Sequence, residues 1–108
     1  MTTNPGMAEA LARVWTKFLP EIAQRVAVLE AAAQALSVGL LSTEQRDAAH
    51  AAAHKLAGTL GTFGLHQGTD LARQAETLLA EEIPRGEAIH LEGYARELRA
   101  LLDSRQTL

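Results

Sequence analysis

Apolar residues recur at intervals of three and four along most of the chain, which is the spacing of one face of an α-helix. The first run covers residues 7–19 and follows Asn4-Pro5, a capping residue and a proline that suit a helix start. Because proline lacks an N–H donor and crowds the preceding turn, Pro20 is expected to end this helix or kink it. A second run follows and stops at Gly39. The N-terminal part of the chain therefore predicts two helices that are separated at Pro20.

Three more periodic runs follow, at about residues 43–63, 65–82 and 87–104. A capping box over residues 42–45 marks the start of the first of them, and Gly64 is placed to end it. Long amphipathic segments joined by short loops predict an all-α fold. We expect an antiparallel four-helix bundle with an additional N-terminal helix.

The apolar stripes of the four bundle segments define the predicted core. Trp15 and Phe18 of the first run are expected to cover this core on the side of the N-terminal helix. The stripes consist of Ile22, Val26, Leu29, Ala33 and Leu36; Ala49, Ala52, Leu56, Leu60 and Phe63; Leu71, Ala72, Ala75, Leu78 and Leu79; and Ala88, Leu91, Ala95, Leu98 and Leu102.

Composition narrows the class of protein. A chain of 108 residues predicts one domain over residues 1–108, and its net charge of −3 does not favour nucleic acid. Cysteine is absent, which excludes disulfides, thiolate metal sites and thiol catalysis. The sequence contains no apolar run of membrane-spanning length and no signal peptide, so we expect a cytoplasmic protein that does not contact membranes. It also lacks a glycine-rich nucleotide loop, so any ATP must be bound by a partner.

His54 is the residue with the most distinctive surroundings. Residues three, four and seven apart share a helix face, so Ala51, Gly58 and Gly61 flank His54, and His50 lies one turn upstream. The core stripe lies on the other side of the same helix, so the imidazole is expected to point to solvent. Glycine inside a helix costs about 0.5–1 kcal/mol relative to alanine. Two glycines beside one histidine therefore indicate a surface that something approaches closely.

This arrangement suits phosphoryl transfer. Imidazole can be neutral and nucleophilic at cellular pH, so Nε2 of His54 could attack a phosphoryl group that another molecule presents. Lys55, about 100° away on the helix, could screen the charge of the product. On the next helix, Arg73 and Glu76 share a face and form either a surface ion pair or a contact with the His54 ring that fixes its tautomer.

Two other interpretations stay open at this point. His50 and His54 have the i, i+4 spacing of two metal ligands on one helix, but no third ligand lies close in sequence, so we predict no metal site. Alternatively, the glycine-lined surface docks a partner helix without any chemistry. His66 and His90 are isolated in the sequence and are assigned no role.

Residues 53–64 resemble the signature of histidine-containing phosphotransfer (HPt) domains of bacterial two-component phosphorelays. The residues that carry the resemblance are His54-Lys55-Leu56-Ala57-Gly58, followed by Gly61, Phe63 and Gly64. The resemblance covers about residues 7–102, with the specific motif confined to residues 53–64 and a weaker agreement over residues 71–79. The resemblance implies a four-helix bundle, a phosphoacceptor at His54, and reversible exchange of a phosphoryl group with the aspartate of a receiver domain.

The resemblance and the positions of the residues on their helices together define the expected surroundings of the reaction, with Gly58 and Gly61 the positions that the resemblance keeps small for docking. We call the following residues the receiver-docking face: His50, Ala51, Gly58, Gly61 and Thr62. Lys55 would be an electrostatic helper and Glu76 would orient the ring. The domain would be a monomeric phosphocarrier and not an enzyme, with no cofactor of its own. Its partners would be receiver domains, such as that of a hybrid sensor kinase, and magnesium would be bound by the receiver.

Two positions depart from the common form of the family. Lysine usually stands three residues after the histidine, where this chain has Ala57, and the lysine instead follows the histidine directly as Lys55. Many members have a polar residue, often glutamine, where this chain has Glu76. A carboxylate there could accept a hydrogen bond from the ring, but it would repel a nearby phosphate.

Overall fold

The computed structural model describes residues 5–106, which form four α-helices and no strand. The elements are α1 (Pro5–Ser37), α2 (Thr43–Thr62), α3 (His66–Leu79), a short 3₁₀ turn (Arg85–Glu87) and α4 (Ala88–Gln106). Each helix packs against two others, α1 and α3 both lying between α2 and α4. The predicted all-α helical bundle is therefore confirmed.

The N-terminal segment differs from the prediction. α1 continues through Pro20, so the additional helix expected over residues 7–19 is the first half of one 33-residue helix. Buried Trp15 and Ile22 hold the two halves against the bundle, and this packing outweighs the cost of about 3 kcal/mol for an internal proline. Pro20 itself is exposed. The predicted cap Asn4 lies outside the described residues. No helix among residues 5–106 is both long and apolar enough to cross a bilayer.

The predicted core stripes are confirmed with small adjustments. All their members are buried except Phe63 and Leu78, which are partly buried and pack against the core. Trp15 is also buried, and its ring meets Phe63 edge to face with the centroids 5.0 Å apart. Phe18 is 40% exposed, so its assignment as core cover is wrong. The apolar face of α1 is wider than the surface that the neighbouring helices cover.

Both predicted ends of α2 are present. The Ser42 hydroxyl accepts a 3.0 Å hydrogen bond from the Gln45 N–H, and the Ser42 N–H donates a 2.9 Å bond to the Gln45 side chain. At the other end, Gly64 has a φ of +75°, which favours glycine, and its N–H donates to the carbonyl of Gly61. α2 is thereby fixed in length and direction.

The closest approach of α2 and α3 centres on Gly68. A Cβ atom there would lie 2.9 Å from Cδ1 of Leu60, so a larger residue would force movement. The adjacent Thr69 hydroxyl donates a buried 2.9 Å hydrogen bond to the carbonyl of Ala57. A Cβ atom on Gly61 would lie 3.2 Å from the same hydroxyl. Two residues without side chains therefore set the spacing of these helices.

We predict that Ser42→Ala lowers the free energy of unfolding by about 1 kcal/mol, because the Gln45 N–H loses its acceptor at the helix start. Urea unfolding followed by circular dichroism measures this change. Ser37→Ala is the matched control, since that hydroxyl only donates to the Gln34 carbonyl in the last turn of α1. Its removal should change stability by no more than about 0.5 kcal/mol. Equal losses in the two variants would contradict the capping assignment.

Candidate functional site

His54 stands on the outer surface of α2 with 72% of its side chain exposed. Next to it, Gly58 is exposed, and a Cβ atom there would meet nothing within 4 Å. Ala51 and Thr62 are exposed as well. The surface beside the imidazole is therefore open, and another molecule can reach both the ring and the helix backbone.

The five residues of the receiver-docking face lie within an arc of about 120° on α2. The exposed members lie away from α3. His50 and Gly61 are partly buried and lie on the edge nearer α3. Gly61 has a structural reason to be small, because a Cβ atom there would press on the Thr69 hydroxyl. Gly58 has no such neighbour, so its small size is not required by the bundle.

Glu76 on α3 reaches the His54 ring. The distance from Nδ1 of His54 to Oε2 of Glu76 is 2.7 Å, although the residues are 22 positions apart in the chain. Glu76 follows the buried residues Ala72 and Ala75, so it lies at the edge of the α3 surface that packs in the bundle. Close packing around Gly68, two turns earlier, brings this edge beside α2.

The contact determines how the ring presents its two nitrogens. An ionised carboxylate can only accept hydrogen bonds, so the bond to Glu76 places the proton on Nδ1 of His54. The neutral ring then carries its lone pair on Nε2, the nitrogen at the far end of the ring. On a side chain that is mostly exposed, this nitrogen is available to a second molecule.

His50 is the second imidazole near Glu76. Its Nε2 atom lies 4.0 Å from the same Oε2 atom that meets His54, which is within ion-pair range but longer than a hydrogen bond. The His50 side chain is 39% exposed and the Glu76 side chain 25% exposed. The carboxylate therefore lies between two histidines and is more enclosed than either of them.

Lys55 is exposed and forms no hydrogen bond or ion pair among residues 5–106. Ala57 is only 6% exposed, and its carbonyl accepts the bond from Thr69. The first atoms of a lysine side chain at this position would therefore be buried between α2 and α3. In the described part of the chain no ion pair joins Arg73 to Glu76, because Glu76 pairs with the histidines.

The remaining histidines and the possible metal ligands add no group to the site around His54. Within residues 5–106, no group of three or more His, Asp or Glu side chains is arranged to hold a metal ion. His66 and His90 are both exposed. His90 pairs with Glu87 at 2.7 Å, three residues earlier in sequence and away from His54.

Sequence reasoning missed Gly68 and Thr69, which set the spacing and the register of α3 against α2. The rule applied to Gly58, that glycine inside a helix needs a reason, applies equally to Gly68 and could have identified it. Nothing in the sequence indicated that the Thr69 hydroxyl would donate to a carbonyl of another helix.

Two comparisons with known proteins bear on the family of this chain. Residues 13–107 match the Hpt domain family. Protein RcaC of Microchaete diplosiphon is 38% identical to the chain over 66 residues, which is 61% of this chain and 10% of RcaC. The matched part of the chain thus spans about a tenth of the length of that relative. No solved structure matches it. Because the family match covers nearly the whole sequence, the chain belongs to the Hpt domain family.

Proposed function

We propose that this protein carries phosphoryl groups on Nε2 of His54, accepting them from the aspartate of one receiver domain and passing them to another. Hpt domains have a histidine phosphotransfer role in phosphorelays and act with receiver domains. The observation that supports His54 as the acceptor is its 2.7 Å contact with Glu76 through Nδ1 on a ring that is otherwise open to solvent. That contact leaves Nε2 with a lone pair and room for a donor.

In the proposed forward step, the Nε2 lone pair attacks the phosphorus atom of an aspartyl phosphate. The P–O bond to the aspartate breaks, and its electron pair leaves with the carboxylate. The new N–P bond gives a phosphorylated ring that still carries its Nδ1 proton, so the ring is positively charged. The reverse step returns the phosphoryl group to a second aspartate and leaves neutral imidazole. No proton has to move to or from the solvent.

Glu76 has two opposing effects on this step. Its carboxylate faces Nδ1 and stabilises the positive charge that the ring gains, because opposite charges at hydrogen-bond distance attract strongly. It also repels the phosphoryl oxygens, but these lie on the far nitrogen. The near interaction is the stronger one, since Coulomb energy falls with distance.

Docking requires a surface that fits the active site of a receiver. Phosphoryl transfer depends mainly on in-line positioning and on neutralisation of charge, and the partner would supply the magnesium ion that does much of the latter. Gly58 leaves the helix backbone open beside His54. Lys55 is free to move toward an arriving phosphoryl group and is the candidate cation of this chain.

The direct test is His54→Gln. Incubation with a phosphorylated receiver domain should place acid-labile label on the wild-type protein and none above background on the variant, because His54 is the histidine beside the open surface at Gly58. His90 makes a similar Nδ1 contact with Glu87, but it lies on α4, which does not pack against α2. Circular dichroism should show an unchanged helix content, with stability within about 1 kcal/mol of wild type, because the residue is exposed.

The control for this test is His66→Gln, an exposed histidine in the first turn of α3 that lies outside the proposed site. It should accept label like the wild type. Label on His54→Gln at wild-type levels would contradict the assignment of the acceptor. A wild-type protein that binds the receiver but takes no label would favour the docking module without chemistry.

Gly58→Gln should weaken binding to the receiver at least about tenfold, because the new side chain fills the space that the partner backbone would enter. The variant should be as stable as the wild type or up to about 1 kcal/mol more stable, since glutamine favours helix over glycine and meets no neighbour. Titration with a labelled receiver, followed by urea unfolding, measures both quantities.

Gly93→Gln is the matched control for Gly58→Gln. Gly93 is inside α4, has open space at its Cβ position, and lies on a helix that does not pack against α2. It should gain the same stability and bind the receiver normally. Equal binding by the two variants would remove Gly58 from the docking face. Gly61 is a poorer probe, because a side chain there also disturbs Thr69.

A further inference from the structure

We infer that His50 is a positioning residue, which holds the Glu76 carboxylate in place against the His54 ring. The inference rests on the proposed function of His54 and adds to it the group that fixes the orientation of the acceptor. His50 touches neither the phosphoryl group nor Nε2 of His54 in this role. It acts only through Glu76.

The geometry that supports this role is a single oxygen atom between two imidazoles. Oε2 of Glu76 lies 2.7 Å from Nδ1 of His54 and 4.0 Å from Nε2 of His50. The two histidines are one helical turn apart on α2, so both project toward the edge of α3. A carboxylate oxygen has two lone pairs and can therefore face both rings at once.

The two rings turn opposite nitrogens to the carboxylate. His54 uses Nδ1, next to its own backbone, and leaves Nε2 at the tip of the ring free. His50 turns its Nε2 tip toward Glu76, so its other nitrogen is Nδ1, the one nearer its own backbone. His50 is also less exposed, at 39% against 72% for His54. The first ring is thus arranged as an acceptor and the second as a support.

Glu76 needs a second contact because it comes from another helix. Its side chain has three rotatable bonds, and holding it against one exposed ring costs rotational freedom. The pair of His90 and Glu87 differs, because both residues are on the same short segment, three positions apart. For Glu76, attraction to a positively charged or N–H-bearing His50 restricts the carboxylate to the side of α3 that faces α2.

No other cation takes this place in the described part of the chain. The ion-pair partners of Glu76 within residues 5–106 are His50 and His54. Arg46, one turn before His50, pairs instead with Asp47 at 3.7 Å. Removal of His50 therefore leaves the acceptor ring as the single polar partner of the carboxylate among these residues.

The test combines a measurement on the resting protein with a measurement of transfer. In ¹⁵N NMR spectra of the unphosphorylated protein, the ratio of the Nδ1–H to the Nε2–H form of His54 should fall about three- to tenfold in His50→Ala, the range expected for contacting side chains. The His90 signals serve as an internal reference and should not change. His66→Ala is the matched control and should leave the His54 ratio unchanged.

Single-turnover transfer from a phosphorylated receiver should slow about three- to tenfold in His50→Ala. Glu76→Ala should slow it as well, and His50→Ala should add nothing in the Glu76→Ala background, because His50 acts through the Glu76 side chain. A merely structural or docking role for His50 would instead multiply the two effects.

The outcomes separate this inference from the proposed function. If the wild type accepts label but His50→Ala leaves either the tautomer ratio or the rate unchanged, or if the effects of the two substitutions multiply, the positioning role is overturned and the phosphocarrier stands. If the wild type accepts no label and His50→Ala still shifts the tautomer ratio, His50 does hold Glu76 and the proposed function fails.

Discussion

The close packing of α2 against α3 is the constraint on which the candidate site depends. Glu76 bonds to His54 at 2.7 Å across the contact between these helices, so the bond depends on their spacing and register. The missing side chain at Gly68 permits that spacing, and the buried bond from Thr69 to the Ala57 carbonyl fixes the register along the helix axes. The orientation of an exposed ring is therefore controlled from the interior of the bundle.

The two glycines in the C-terminal half of α2 lie on different surfaces of the helix, Gly61 next to α3 and Gly58 on the exposed side. Both Gly58 and Gly61 weaken the helix by roughly 0.5–1 kcal/mol relative to alanine. The cost of Gly61 is offset by the hydrogen bond that its small size allows Thr69 to make, whereas no neighbour among residues 5–106 requires Gly58 to be small. Packing within the bundle thus explains why residue 61 is glycine. The glycine at position 58 is explained by the proposed docking of a partner beside His54.

The periodicity of apolar residues predicts which way the side chains of one helix point, but it does not predict how two helices are placed against each other. It identified the core stripes and the outward direction of His54 correctly, since both follow from angles along one helix. It could not choose between Arg73 and Glu76 as the neighbour of His54, because that choice depends on the register of α3 against α2. The predictions for Pro20 and Phe18 were wrong for a related reason, because both depend on contacts between helices. Burial of Trp15 keeps α1 continuous through Pro20, and the neighbouring helices do not extend far enough to cover Phe18.

A carrier must hold a phosphoryl group without holding it too firmly. With Glu76 keeping the proton on Nδ1, the phosphorylated ring in the proposed reaction remains a cation, and loss of the phosphoryl group releases neutral imidazole, a good leaving group. In the proposed reaction the same contact would therefore direct Nε2 to attack and stabilise the positive charge of the product. An arrangement that favours both directions of transfer fits a relay better than a one-way catalyst.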